Sequence, residues 1–153
     1  MNRLKCSLII IIVFLATSVE AASPNSAFDE FGDVNCENEM ARLDNFAYQL
    51  QNYPAAHGYI IFYGGRRFRG RFPRVGEAAV RAGRLKPYLV SRRGIPADRV
   101  VLINGGYHES FSIQLWIVPP GAEPPELSTF TVPASQITFR KGKVNKLQFQ
   151  CNI

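Results

Sequence analysis

The sequence predicts an α+β fold in which two helices pack on one face of a small mixed β-sheet, in the order βαβαββ, followed by an extended C-terminal tail. Residues 58–63 form an apolar segment without polar interruption, which is typical of a central strand covered on both faces. Segments with helical periodicity lie on either side of it. Residues 111–118 alternate with a period of two, which indicates a strand with one well-buried face.

A short strand and an amphipathic helix are predicted before the central strand. Phe28 and Phe31 indicate a small edge strand that ends at Gly32. The helix is predicted over residues 37–52, with Asn35 as its N-cap. Its apolar residues follow the spacing of one buried helix face: Met40, Leu43, Phe46, Ala47 and Leu50.

The second helix is predicted over residues 76–92, and Gly94 is suited to the position after its end. Pro87 is expected to kink this helix because proline lacks a backbone donor. Residues 100–103 then form another buried strand. Glycine pairs at 64–65 and 105–106 are expected to end the two buried strands, either as turns or as places where a ligand approaches the sheet.

The first 21 residues have the layout of a secretory signal peptide. Arg3 and Lys5 precede an apolar run at residues 8–16, and small residues follow near Ala21. This run is too short to span a bilayer, so the mature protein is expected to have no membrane span and to be exported, periplasmic or extracellular. The further organisation is predicted as a domain at 23–118, a proline-rich connector at 119–135 and a tail or strand at 136–153.

The cysteine content favours one disulfide in the mature protein. Cys6 leaves with the signal peptide, and the remaining pair, Cys36 and Cys151, is expected to bond in an oxidising compartment. Two buried free thiols are the alternative. Two cysteines and two scattered histidines do not provide a recognisable zinc site, so no metal and no cofactor is expected.

Positive charge is concentrated in one part of the chain. The formal net charge is +6, and residues 66–99 contain eleven arginine and lysine residues against two acids, Glu77 and Asp98. A patch of one sign raises the local concentration of polyanions. Because the chain is expected to be exported, nucleic acid is not the expected partner.

Several segments resemble the OmpA-like C-terminal domain of bacterial cell-envelope proteins. The resemblance lies in residues 41–47, in the second helix, and in the Gly-Ile-Pro-Ala-Asp-Arg segment at 94–99, and it extends over residues 28–118. It implies the βαβαββ fold and a peptidoglycan ligand held by an aspartate after the central strand and an arginine before the last strand. This chain has Gly64 and Gly65 at the first position and residues 108–110, His-Glu-Ser, at the second. The usual ligand-binding aspartate and arginine are therefore missing.

The arginine-rich loop that follows the central strand is the candidate site. Guanidinium groups match carboxylate and phosphate geometry, and Phe68 and Phe72 between them are suited to stacking on sugars or bases. The predicted ligand-binding residues are Arg66, Arg67, Arg69, Arg71, Arg74 and Arg81. The predicted function is non-enzymatic binding of an anionic cell-envelope polymer, and the alternative for the loop itself is a solvated segment that maintains solubility.

Two other functions remain open from the sequence. A scaffolding domain would bind a protein partner through an exposed sheet face that includes Trp116 and through the proline-rich connector. A small hydrolase would use His108 and Glu109, although adjacent strand residues point to opposite faces. His57 is expected to be a loop residue, and the oligomeric state is not predicted.

Overall fold

Four strands, three α-helices and two short 3₁₀ turns are found in residues 26–145, which together with Phe149 and Cys151 are described by the computed structural model. The predicted signal peptide and Leu147 lie outside the described residues. The elements in chain order are β1 (Asp29–Phe31), α1 (Cys36–Asn52), β2 (His57–Arg67), α2 (Glu77–Ala82), α3 (Leu85–Arg93), β3 (Val100–Ser110) and β4 (Ser112–Val118).

The predicted α+β class is confirmed by the sheet and its single helical layer. The strand order is β1-β4-β2-β3, in which β2 is parallel to β3 and antiparallel to β4. Ile60 and Phe62 of β2 and Leu115 of β4 belong to one buried cluster with apolar residues of all three helical segments. Alternate strand residues share a face, so the helices cover one side of the sheet.

The first helix agrees closely with the predicted boundaries. The side chain of Asn35 accepts a hydrogen bond from the Asn38 backbone nitrogen at 2.9 Å, which satisfies one of the free donors at the N-terminus of α1. The buried residues of α1 include Leu43, Phe46 and Leu50, as the spacing predicts. The helix ends before Tyr53.

The second helical region is interrupted at a different place from the one predicted. The break lies at Gly83 and Arg84, between α2 and α3, rather than at Pro87. Pro87 occupies the third position of α3, where the backbone nitrogen would have no acceptor within the helix, so proline is tolerated there. The prediction of one helix kinked at Pro87 was therefore wrong.

Both glycine pairs lie inside strands, which corrects the prediction that they end them. Gly64 and Gly65 belong to β2, and Gly105 and Gly106 belong to β3. The pairing of β2 with β3 shifts register between Phe62 and Gly64, and Gly106 has a φ of 97° at this bulge. A Cβ on Gly105 would come within 2.2 Å of the Tyr63 ring, so the glycine lets this ring lie flat on β3.

The chain crosses β2 between the last two strands. Ser110 at the end of β3 pairs with Arg67 on one side of β2, and Ser112 at the start of β4 pairs with Tyr63 on the other side. Phe111 alone makes this crossing, over Gly65. β3 and β4 therefore flank β2 and do not pair with each other, although only one residue connects them.

The proline-rich connector packs against the sheet. The Tyr63 hydroxyl accepts a hydrogen bond from the Ser128 backbone nitrogen at 3.0 Å, and the Val132 nitrogen donates to the Tyr107 carbonyl at 2.6 Å. Ile61 and Tyr63 are fully buried on the face opposite the helices. The connector therefore covers this face around β2, whereas the scaffolding hypothesis assumed an open sheet face. Trp116 is half-buried.

The predicted disulfide joins Cys36 at the start of α1 to Cys151, across a sequence separation of 115 residues. It brings the C-terminal tail back to the helical layer. Within the described ranges, none of the helices has the length and apolar character needed to cross a membrane.

Candidate anion-binding site

The arginine-rich loop is built on a tight turn. The backbone groups of Phe68 and Arg71 exchange two hydrogen bonds, of 2.7 and 2.9 Å. Arg69 and Gly70 between them have φ values of 48° and 75°, as a type I′ turn requires at both central positions. The turn therefore presents Arg69 and Arg71 at its end with a defined backbone.

Three of the six predicted arginines share one open cleft. Its volume is ≈ 420 Å³, and we call it the arginine cleft. Four arginines and two aromatic residues line it: Arg69, Arg71, Arg74, Arg140, Phe68 and Phe149. The rings of Phe68 and Phe149 meet edge to face, with their centroids 6.0 Å apart.

Arg66 and Arg67 lie outside the arginine cleft. The Arg66 guanidinium donates to Glu109 Oε1 and to Gln136 Oε1, both at 2.9 Å. The Arg67 guanidinium lies over the Phe72 ring, 4.5 Å from its centroid. These two side chains therefore connect the end of β2 to Glu109, Gln136 and Phe72.

Arg81 is part of the protein interior. Its side chain is only 4% exposed, and its Nη2 forms an ion pair with Asp33 Oδ1 at 2.6 Å. The guanidinium lies between the rings of Phe68 and Phe111, 4.3 and 3.9 Å from their centroids. Burial lowers the pKa of Arg81, and Asp33 opposes this effect. Arg81 thus packs against the Phe68 ring and helps to position it at the cleft.

The charges of the cleft are only partly neutralised. Asp33 pairs with Arg69 at 2.7 Å and raises the pKa of that arginine, and Glu77 pairs with Arg140 at 3.4 Å. In the part of the chain that the structure describes, the guanidinium groups of Arg71 and Arg74 form no ion pair, although the Arg74 backbone nitrogen donates to Glu77 Oε2 at 2.7 Å. No acidic residue is among the described residues that line the cleft. The cleft is consequently electropositive.

Two residues of the cleft come from the tail and were missed from the sequence. Arg140 and Phe149 lie far from the loop along the chain, and the tail that carries them is bonded at Cys151. Arg84 fixes the same end, because its Nη1 lies 2.7 Å from Cys151 Sγ and its Nη2 pairs with Glu39 at 2.6 Å. The predicted disulfide was the signal that could have found them, since it returns the tail to the start of α1.

His108 and Glu109 are not brought together. His108 stacks on Tyr63 with a centroid separation of 3.7 Å, and its Nδ1 lies 3.4 Å from the Ser112 hydroxyl. Burial lowers the pKa of His108. Glu109 is paired with Arg66 instead, and its side chain is 74% exposed. His57 is exposed at the first position of β2, not in a loop.

The chain matches no protein-family model, no curated protein and no solved structure. No cluster of three or more histidine, cysteine, aspartate or glutamate residues suited to a metal ion occurs in the described ranges. The chemistry that the arginine cleft offers is charge-assisted hydrogen bonding to anionic oxygens, beside an aromatic wall suited to carbon–hydrogen groups.

Proposed function

We propose that this protein is a non-enzymatic, exported cell-envelope module that binds an anionic envelope polymer in the arginine cleft. The observation that supports this function is the convergence of four guanidinium groups on one open cleft with no acidic residue among its described lining residues. The guanidinium groups of Arg71 and Arg74 form no ion pair within the described residues, so an external anion can pair with them.

A polymer suits this site better than an isolated small anion. The cleft is open and its charges are near the surface, where each ion pair contributes little in water. A repeating polyanion can engage the cleft and the neighbouring exposed bases together, and successive contacts then occur at high effective concentration.

The cell-envelope location rests on the predicted signal peptide and the OmpA-like resemblance. The disulfide supports an oxidising compartment, and the observed order βαβααββ departs from the βαβαββ order that the resemblance implies in that the second helix is split into α2 and α3. Gly64 and Gly65 stand where that family has its aspartate, and residues 108–110, His-Glu-Ser, stand where it has its arginine, so neither position carries the family's charged residue. We therefore do not propose that this chain holds peptidoglycan as that family does, between an aspartate and an arginine.

Cosedimentation of the purified mature protein with insoluble bacterial cell walls tests the proposal. We expect retention at low salt that declines as the salt concentration rises. Replacing Arg71 by glutamine is expected to reduce retention, whereas glutamine at the exposed Arg92 of α3 is the control for one lost charge outside the cleft. Absence of retention at low salt would contradict the proposed function.

A protein-interaction scaffold is the second candidate. The connector carries Phe130, which is 89% exposed, and Leu127, which is 46% exposed. Large apolar side chains at such exposure suit a protein contact. Light scattering after size exclusion, on the wild type and on a Phe130→Ser variant, distinguishes an assembly that depends on this residue from a monomer.

A further inference from the structure

The positive charges of the arginine cleft divide into two classes. Arg69 and Arg140 already have carboxylate partners, Asp33 and Glu77. The guanidinium groups of Arg71 and Arg74 form no ion pair among the described residues, although the Arg74 backbone nitrogen donates to Glu77 Oε2 at 2.7 Å. These two guanidinium groups are therefore available to a ligand, and a phosphate monoester carries about 1.5 to 2 negative charges near pH 7. Two neighbouring phosphodiesters in one chain carry a similar total.

The donors reach the cleft from two separate chain segments. Arg71 and Arg74 belong to the loop after β2, and Arg140 belongs to the tail. The Nε atoms of Arg74 and Arg140 are buried and have no hydrogen-bond partner within the described residues. A carboxylate has two coplanar oxygens and is satisfied by one guanidinium fork, whereas the tetrahedral oxygens of a phosphate accept from several directions. Donors on two segments thus fit phosphate better.

The lining of the cleft also selects against zwitterionic ligands. A peptide group with both a carboxylate and an ammonium needs an acidic residue beside the arginine, and none is found among the described lining residues. A volume of ≈ 420 Å³ lies within the usual range of ligand pockets and exceeds the need of a lone oxyanion. The edge-to-face pair Phe68 and Phe149 provides an apolar wall for the carbons next to the anion.

We infer that the arginine cleft selects the phosphate groups of a sugar-phosphate or polyol-phosphate chain over carboxylate polymers. This inference rests on the proposed function and specifies its ligand. Arg71 and Arg74 supply the charge, Arg140 supplies a donor from the tail, and the two phenylalanine rings contact the sugar or polyol carbons.

Calorimetric titration with three probes tests the inference: a synthetic glycerol-phosphate hexamer, a glutamate hexamer of matched length, and inorganic phosphate. At fixed low salt we expect the glycerol-phosphate hexamer to bind about tenfold more tightly than the glutamate hexamer, because its tetrahedral phosphates accept hydrogen bonds from both chain segments. Arg71→Lys keeps the charge but loses the fork, so it is expected to lose most of this preference, while Arg92→Lys keeps it.

Four other results would each contradict a specific part of the inference. Equal affinity for the two hexamers would overturn phosphate selection and leave the proposed function standing. Equal affinity for inorganic phosphate and the glycerol-phosphate hexamer would overturn the assignment to a chain. An Arg71→Lys variant that melts like the wild type and retains the full preference would overturn the role of the cleft. Binding of no probe, together with no retention on cell walls, would overturn both proposals.

Discussion

Gly65 of β2 lies directly beneath the backbone nitrogen of Phe111, so close that a Cβ on the glycine would stand 2.5 Å from that nitrogen. The same Cβ would stand 3.0 Å from the Ser110 carbonyl carbon. The crossing from β3 to β4 is therefore compatible only with a residue that has no side chain at position 65.

Gly65→Ala is expected to destabilise the fold by about 3 kcal/mol, because the opposing atoms are backbone atoms that cannot turn away. Urea denaturation measures this loss. Gly121→Ala is the control, since Gly121 has a φ of 79° and a Cβ there would meet nothing within 4 Å, so this change should cost only about 1 kcal/mol of backbone strain. Equal losses in the two variants would show that the crossing does not constrain position 65.

Arg81→Ala is expected to cost about 3 kcal/mol, because it removes a buried cation from Asp33 and from the two rings that enclose it. Arg69→Ala removes a second partner of the same carboxylate, but Arg69 is 68% exposed and its loss should cost less than about 1 kcal/mol. Denaturation midpoints of the two variants make the comparison. A smaller loss for Arg81 than for Arg69 would contradict the interior role of Arg81.

Loss of the disulfide is expected to weaken both stability and anion binding. Closing a loop of this length contributes up to about 4–5 kcal/mol by limiting the unfolded chain. A variant with serine at both Cys36 and Cys151 should unfold at lower urea concentration. In the absence of urea, where the variant is still folded, we also expect it to bind polyanions less tightly, because Arg140 and Phe149 are no longer held at the cleft. Unchanged binding by the folded variant would show that the tail does not contribute to the cleft.

Protonation of His108 is expected to make stability depend on pH. Burial lowers the pKa of His108 below its usual 6.5, and Glu30 only partly opposes this. Just below pH 6.5 the unfolded chain binds a proton that the folded chain does not, so stability should fall as the pH falls through this window. His108→Phe keeps a ring against Tyr63 but does not titrate. The difference in unfolding free energy between wild type and variant should therefore change over this range, and a constant difference would refute the prediction.

The sequence predicted the fold well because most of the relevant signals are local. The apolar run at residues 58–63, the N-cap at Asn35 and the alternation along β4 each depend on neighbouring residues. The helix break at Gly83 and the bulge at Gly106 were missed because each depends on the tertiary arrangement. A glycine pair indicates a place of conformational freedom, but it does not distinguish a turn that ends a strand from a bulge within the strand.

The candidate site was predicted only in part, for a similar reason. The density of arginines in residues 66–74 indicated the loop, but their individual roles are set by partners distant in sequence. Asp33 holds Arg69 and Arg81, whereas Glu109 holds Arg66, and no spacing rule connects these residues. Arg140 lies in a tail whose alternation is weak, so its place in the cleft could not be predicted without the path of the tail.

The bond between Cys36 and Cys151 also has a consequence for the producing cell. The disulfide fastens the tail that completes the cleft. In a reducing cytosol this bond would not form, so a newly made chain would have the arginine loop without Arg140 and Phe149 held beside it. We expect such a chain to bind ribosomal and messenger RNA less tightly than the oxidised form does. Comparing the retention of reduced and oxidised protein on immobilised RNA measures this. Under the proposed export, the disulfide would form only after the chain has left the cytosol, so the complete arginine cleft would not be presented to cytosolic RNA.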